Sequence, residues 1–154
     1  MYDRVINLLK EANVEYNRYK HQPILDYDTA KEVKDKYNLS GVESKSLFIK
    51  SKSDEYYIFI TVENKKMDSK RVKKLIGEKV SIASGEELLK KTGCIPGCAS
   101  PFGYDKDISI IVDREIFNYN KFLFSPGIAE ITIQIKSEDL RKILEVSNNN
   151  VIYY

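Results

Sequence analysis

A chain of 154 residues with 42% apolar and 31% charged side chains can build one real hydrophobic core, which excludes a disordered polymer. Its 25 Lys and Arg against 23 Asp and Glu leave a net charge of +2, which excludes a strong unspecific attraction for nucleic acid. No apolar run approaches the roughly eighteen residues of a membrane-spanning helix, and the mixed-charge segment MYDRVINLLKEANVEY is expected to be an amphipathic helix and not the apolar core of a secretory signal.

Val5, Leu8, Leu9 and Ala12 recur at helical spacing, so residues 2–13 are predicted to form a helix with one buried stripe. A strand is expected over 14–20, ended by His21-Gln22-Pro23, because proline cannot donate to a ladder. Thr29-Ala30-Lys31-Glu32 has the form of a capping box and predicts a helix over 29–38. Residues 44–50 and 56–62 read as a hairpin closed by the polar turn Ser51–Asp54. Its second strand, YYIFITV, is a continuous apolar run and is expected to be covered on both faces.

Asp68 is a plausible N-cap for a helix over 69–76, stopped at Gly77. Residues 80–82 suggest a short strand, and Ser84-Gly85-Glu86-Glu87 a second capping box with a helix to about Lys91. Residues 92–104, TGCIPGCASPFGY, hold three Gly and two Pro, a density of breakers that neither helix nor strand survives. Strands are expected over 108–112 and 122–124. Ile131, Ile133 and Ile135 alternate with polar residues and predict a half-buried strand. Ser137 is expected to cap a last helix whose inner face is Leu140, Ile143 and Leu144. The tail SNNNVIYY carries no clear pattern. The sum is one α+β domain over 1–154, a mixed sheet with helices packed on it.

Chemistry points first to the long loop. Such a segment inside a compact domain is usually functional. Gly97 and Gly103 let the backbone approach a ligand, Pro96 and Pro101 stiffen it, and free N–H groups there could clamp a carbonyl or oxyanion. Lys45 interrupts the apolar strand SKSLFIK and could hold a phosphate. His21, the only histidine, could be a base, a ribose contact or a structural hydrogen bonder. Lys65, Lys66, Lys70, Arg71, Lys73 and Lys74 could touch a phosphate backbone. Each feature also has a structural explanation: a turn, a strand-edge lysine, a satisfied ring, a solvated helix face. Cys94 and Cys98 are spaced C-x-x-x-C, fit neither a zinc site nor a redox pair, and are expected to be reduced bystanders. There is no nucleophile elbow, Walker loop or G-x-G-x-x-G, and neither a metal nor a cofactor is expected.

Taken together, HQPILDYDTAKE at 21–32, SKSLFI at 44–49, MDSKRVKKLIG at 67–77, SIASGEELLKKTGCIPGCASPFG at 81–103, IIVD at 110–113 and SPGIAEITIQIKSEDL at 125–140 form an ordered pattern. It resembles the YbaK/prolyl-tRNA-synthetase-associated family, an editing domain also found inserted in bacterial prolyl-tRNA synthetases. The resemblance implies hydrolysis of the ester joining an amino acid to the terminal adenosine of tRNA, without a metal. It places Lys45 on the terminal nucleotide's phosphate and matches Gly97–Pro101 to the G-x-x-x-P loop that positions the aminoacyl carbonyl. A water assisted by a ribose hydroxyl would then attack. The implied catalytic residues are Lys45 and Gly97. The implied substrate-binding residues are His21, Thr29, Cys98, Ala99, Ser100, Pro101, Phe102, Gly103, Ser125 and Gly127. The expected partners are mischarged tRNA(Pro) carrying alanine or cysteine and an aminoacyl-tRNA synthetase, in the cytoplasm and away from any membrane. Phe124-Ser125-Pro126-Gly127 lacks the histidine of alanine-specific members, so the amino acid is not legible. A silent aminoacyl-tRNA or amino-acid sensor of the same fold is the alternative.

Overall fold

In the computed structural model, which describes all 154 residues, eight strands form one mixed sheet. In chain order the elements are α1 (Tyr2–Glu11), β1 (Tyr16–Lys20), α2 (Tyr27–Lys36), β2 (Val42–Ser51), β3 (Tyr56–Val62), α3 (Ser69–Ile76), β4 (Val80–Ile82) and α4 (Gly85–Thr92). They continue with β5 (Ile108–Val112), β6 (Lys121–Phe124), β7 (Ile131–Lys136), α5 (Leu140–Ser147) and β8 (Val151–Tyr153). The sheet order is β1-β7-β6-β2-β3-β5-β8, with β4 paired to β2. β2 and β3 form the expected hairpin, in which Lys45 faces Thr61.

The two sheet faces bury separate cores. Phe48, Ile58, Ile60, Ile110 and Val112 pack under α1 and α5, against Val5, Leu9, Leu140, Ile143 and Leu144. Ile49, Phe59 and Ile111 pack on the other face against Val72 of α3. YYIFITV is apolar throughout because both of its faces are covered.

Four expectations need correction. α2 begins at Tyr27, because Asp26 is the N-cap and accepts the Thr29 N–H at 2.7 Å. Thr29 is therefore inside the helix, not its cap. β1 begins only at Tyr16. β7 is buried on both faces, since Thr132 and Gln134 are as enclosed as the isoleucines beside them. Ser137 opens a short 3-10 turn over Ser137–Asp139 and makes no side-chain cap, so α5 starts at Leu140. The unpatterned tail forms β8, which pairs in parallel with β5.

The breaker-rich loop packs tightly against α1. Gly103 has φ +100°, and a Cβ there would lie 2.9 Å from Met1 Sδ and 3.2 Å from Val5 Cγ2. Gly77, at φ +85°, has no atom in the way. Gly103→Ala should therefore cost about 2 kcal/mol, from dihedral strain plus a clash, against about 1 kcal/mol for Gly77→Ala. Urea unfolding of both variants checks this, and equal losses would contradict the packing described.

Candidate functional site

The cleft arises where the sheet splits. β2 pairs with β6 only at Val42 and Glu43, and with β4 only from Ile49 onward. Over Ser44–Leu47 it has β3 on one side and no strand on the other. A cleft of about 410 Å³ opens at that gap. Backbone hydrogen bonds tie its rim together: Ile95 N–H to the Gly127 carbonyl, Ile24 N–H to Ala129, and His21 N–H to Glu130. Three loops are thus fixed relative to one another, which pre-organises the walls.

Lys45, Gly97, Cys98, Ala99 and Ser125 all line this cleft. Lys45 is half-buried and its Nζ donates to the Lys65 carbonyl at 3.2 Å. Among nearby lysines the difference is plain. Lys50 pairs with Asp54 and Glu87, and Lys65 with Asp113 and Glu115, but Lys45 meets no carboxylate. Its charge is free to bind an anion.

Gly97 sits at φ +87°, and a Cβ there would meet nothing within 4 Å. The glycine is needed for the dihedral, not for space. Cys98 N–H is engaged by the Ile95 carbonyl, whereas Gly97 and Ala99 N–H groups donate to no protein acceptor. The loop therefore carries two backbone donors without protein acceptors at a cleft wall, the type of group that an oxyanion hole uses. The Cys98 thiol lines the same wall, and burial pushes its pKa up, which keeps it protonated and a poor nucleophile.

Other expected site residues stand one layer back. His21 does not line the cleft; its Nδ1 donates to the Gln22 carbonyl, and its Nε2 lies 2.9 Å from Thr132 Oγ1, which does. Thr29 is likewise absent from the lining, although Asp26, Tyr27 and Ala30 beside it belong to it. Ser100, Pro101, Phe102, Gly103 and Gly127 are buried in packing behind the wall. Phe102 stacks edge-on against Phe124, and a Cβ on Gly127 would strike Met1. These residues hold the loop; they do not meet the cavity.

The lysine cluster divides. Lys65 is spent on Asp113 and Glu115, and the Arg71 guanidinium lies over the Tyr154 ring at 4.0 Å. Lys66, Lys70, Lys73 and Lys74 are exposed and do not line the cleft. Residues missed by sequence reasoning include Glu43, Glu63, Ser46 and Thr132 in the lining. Burial drives the Glu43 carboxyl up to about 7; Lys34 opposes the rise and Glu63 adds to it. Its position two residues before Lys45 was the only signal that could have found it. No group of three or more His, Cys, Asp and Glu converges anywhere in the chain.

This geometry can be set beside known proteins. Residues 26–143 match the model of the aminoacyl-tRNA editing domain. The prolyl-tRNA editing protein ProX of Acetoanaerobium sticklandii is 26% identical over 151 residues, 94% of this chain and 91% of that protein. The multifunctional Ser/Thr-tRNA deacylase ProXp-y of Escherichia coli (strain K12) is 22% identical over 149 residues, 94% and 88% of the two chains. In fold, the crystal structure of a hypothetical protein superimposes with a TM-score of 0.80 at 19% identity, covering 97% of each chain. A match spanning most of the sequence, with relatives aligned along nearly all of it, makes this chain a member of the aminoacyl-tRNA editing domain family.

Proposed function

We propose that residues 1–154 act as one free-standing, trans-editing aminoacyl-tRNA deacylase in the cytoplasm. Its substrate is mischarged tRNA, with tRNA(Pro) carrying a small amino acid as the first candidate. The observation that carries this reading is the unpaired Lys45 ammonium in the same cleft as the free N–H groups of Gly97 and Ala99. An aminoacylated terminal adenosine needs those two things. Its phosphate takes the lysine, and its ester carbonyl takes the loop donors.

Hydrolysis then requires little more from the protein. Water oxygen adds to the carbonyl carbon, and the developing oxyanion is held by the loop N–H groups. The carbon–oxygen ester bond breaks, and the proton lost by water passes to the departing ribose oxygen by way of the neighbouring ribose hydroxyl. Free amino acid and uncharged tRNA leave. Ser125 and Thr132 stand in the lining where an amino-acid side chain would be felt. The names of the relatives support more than one substrate, prolyl-tRNA in one and Ser/Thr-tRNA in the other. A pocket that senses one methylene discriminates only about 10- to 200-fold.

The test is a deacylation panel with purified protein: alanyl-, cysteinyl- and seryl-tRNA(Pro), with threonyl-tRNA(Thr) and prolyl-tRNA(Pro) as comparisons. Release of amino acid from at least one mischarged species, with prolyl-tRNA(Pro) left intact, is expected. Saturable binding with no hydrolysis across the panel would instead make the chain a sensor.

A further inference from the structure

The cleft is lined by carboxylates that the hydrolytic scheme does not use, Glu43 foremost among them. Glu43 lies two residues before Lys45 on β2, so both side chains leave the same face of the strand. Across the hairpin the Glu63 N–H donates to the Glu43 carbonyl, which brings a second carboxylate alongside. Both glutamates line the cleft with Lys45 and Gly97. Neither carboxylate of this pair makes a hydrogen bond or ion pair with any protein group, although Lys50, Lys65 and Lys142 all find acidic partners. Ser46 Oγ, in the same lining, is also buried without a partner. Unsatisfied polar groups at a half-buried wall call for a ligand that satisfies them.

The charges around Glu43 define what that ligand brings. The charges that act on it are Lys34 from α2 and Glu63 from the end of β3, while Lys45 lines the same cleft two residues along the strand. Asp26 and Tyr27 complete the ionisable lining on the α2 side, and Cys98 on the loop side. The Glu43–Glu63 end is therefore acidic, and the Lys45 position, roughly 7 Å along the strand, is basic. A ligand with a cation at one end and an anion at the other is complementary. An aminoacylated adenosine is such a ligand, with an α-ammonium beyond the ester and a phosphate behind the ribose.

We propose that Glu43 is a specificity-determining residue that accepts the free α-ammonium of the aminoacyl group and so excludes tRNA whose amino group is acylated. This rests on the deacylase reading for its substrate, but not for its test. A general base acting on water would not distinguish a free amine from an amide, and an ammonium receptor must.

The probes are 3′-alanylamino-3′-deoxyadenosine 5′-phosphate, which cannot be hydrolysed by water at its amide, and its N-acetyl derivative. Calorimetry with the wild-type protein should show the free amine binding on the order of 30-fold more tightly, a charge-assisted hydrogen bond's difference. In Glu43→Gln the ratio should fall to near one. The carboxyl must be ionised to accept an ammonium, so wild-type affinity for the free amine should fall as pH drops through about 7. That limb should vanish in Glu43→Gln. Equal binding of the two probes by the wild type, or an unchanged ratio in the variant, overturns the proposal. Parallel hydrolysis of alanyl- and N-acetyl-alanyl-tRNA(Pro) separates the two readings. Selective binding without hydrolysis retains the ammonium receptor and removes the deacylase. Hydrolysis with no preference for the free amine does the reverse.

Discussion

Replacing Lys45 by alanine is expected to lower kcat/KM for deacylation on the order of 100-fold while leaving the fold intact. The side chain is half-buried, forms no ion pair, and contributes one hydrogen bond to a backbone carbonyl. Losing that bond costs about 1 kcal/mol, an amount removing an unpaired, partly desolvated charge offsets in part. Stability should therefore hardly change. Activity should change greatly, because no other lysine lines the cleft to replace it. The kinetic signature is specific as well. A phosphate remote from the ester carries the same charge before and during reaction, so its contact is uniform binding and the loss should fall on KM. A drop confined to kcat would move Lys45 from the phosphate to the reacting carbonyl. An unchanged kcat/KM would remove it from the site. Steady-state deacylation with Lys45→Ala, alongside its melting curve, decides among these.

The parts of the molecule that were legible in its sequence are those set by local chemistry. Ser84 and Glu87 form a complete capping box because all its atoms lie within one turn. Gly77 ends α3 in the left-handed region for the same kind of reason. The loop over 92–104 was visible as a density of breakers. What required tertiary structure was not visible. Asp26 and Thr29 are both capping types three residues apart, and which one caps depends on how the 21–25 segment docks on β7 and its neighbours. β8 is three residues long and exists only because β5 offers a parallel edge far back in the chain. Glu43 carries no local signal, and only the hairpin, through the Glu63 N–H to Glu43 carbonyl bond, puts Glu63 beside it. The site followed the same rule: Lys45 and Gly97 stood out as local anomalies, whereas the buried support of Ser100–Gly103 could not be told from lining without the packing.

That support extends below the cleft, to an acid that holds three elements together. Asp113 is almost wholly buried at the end of β5. It accepts the Thr61 hydroxyl at 2.7 Å, the Lys65 ammonium at 2.8 Å and the Glu115 N–H at 3.0 Å. Thr61 is the cross-strand neighbour of Lys45, and the Lys65 carbonyl is the acceptor of the Lys45 ammonium. Removing Asp113 therefore strands a buried hydroxyl, leaves Lys65 with one carboxylate in place of two, and loosens the backbone on which Lys45 rests. Asp113→Ala should cost about 3 kcal/mol, the usual consequence of deleting one partner of a buried charged network. The pH dependence has a definite sign. Burial pushes the Asp113 carboxyl up, but Lys65, the Glu115 N–H and Thr61 together outweigh it and hold it below the ordinary value. Its contribution to stability is then fully present above the unfolded carboxyl's pKa of about 4 and is lost as pH falls through the lower folded value. Wild-type stability should decline below about pH 4, and Asp113→Asn should flatten that part of the decline. Denaturant unfolding of both proteins from pH 3 to pH 7 measures it. Parallel pH curves would mean that the carboxyl is not the titrating support of the Lys45 strand, and that its role is hydrogen bonding alone.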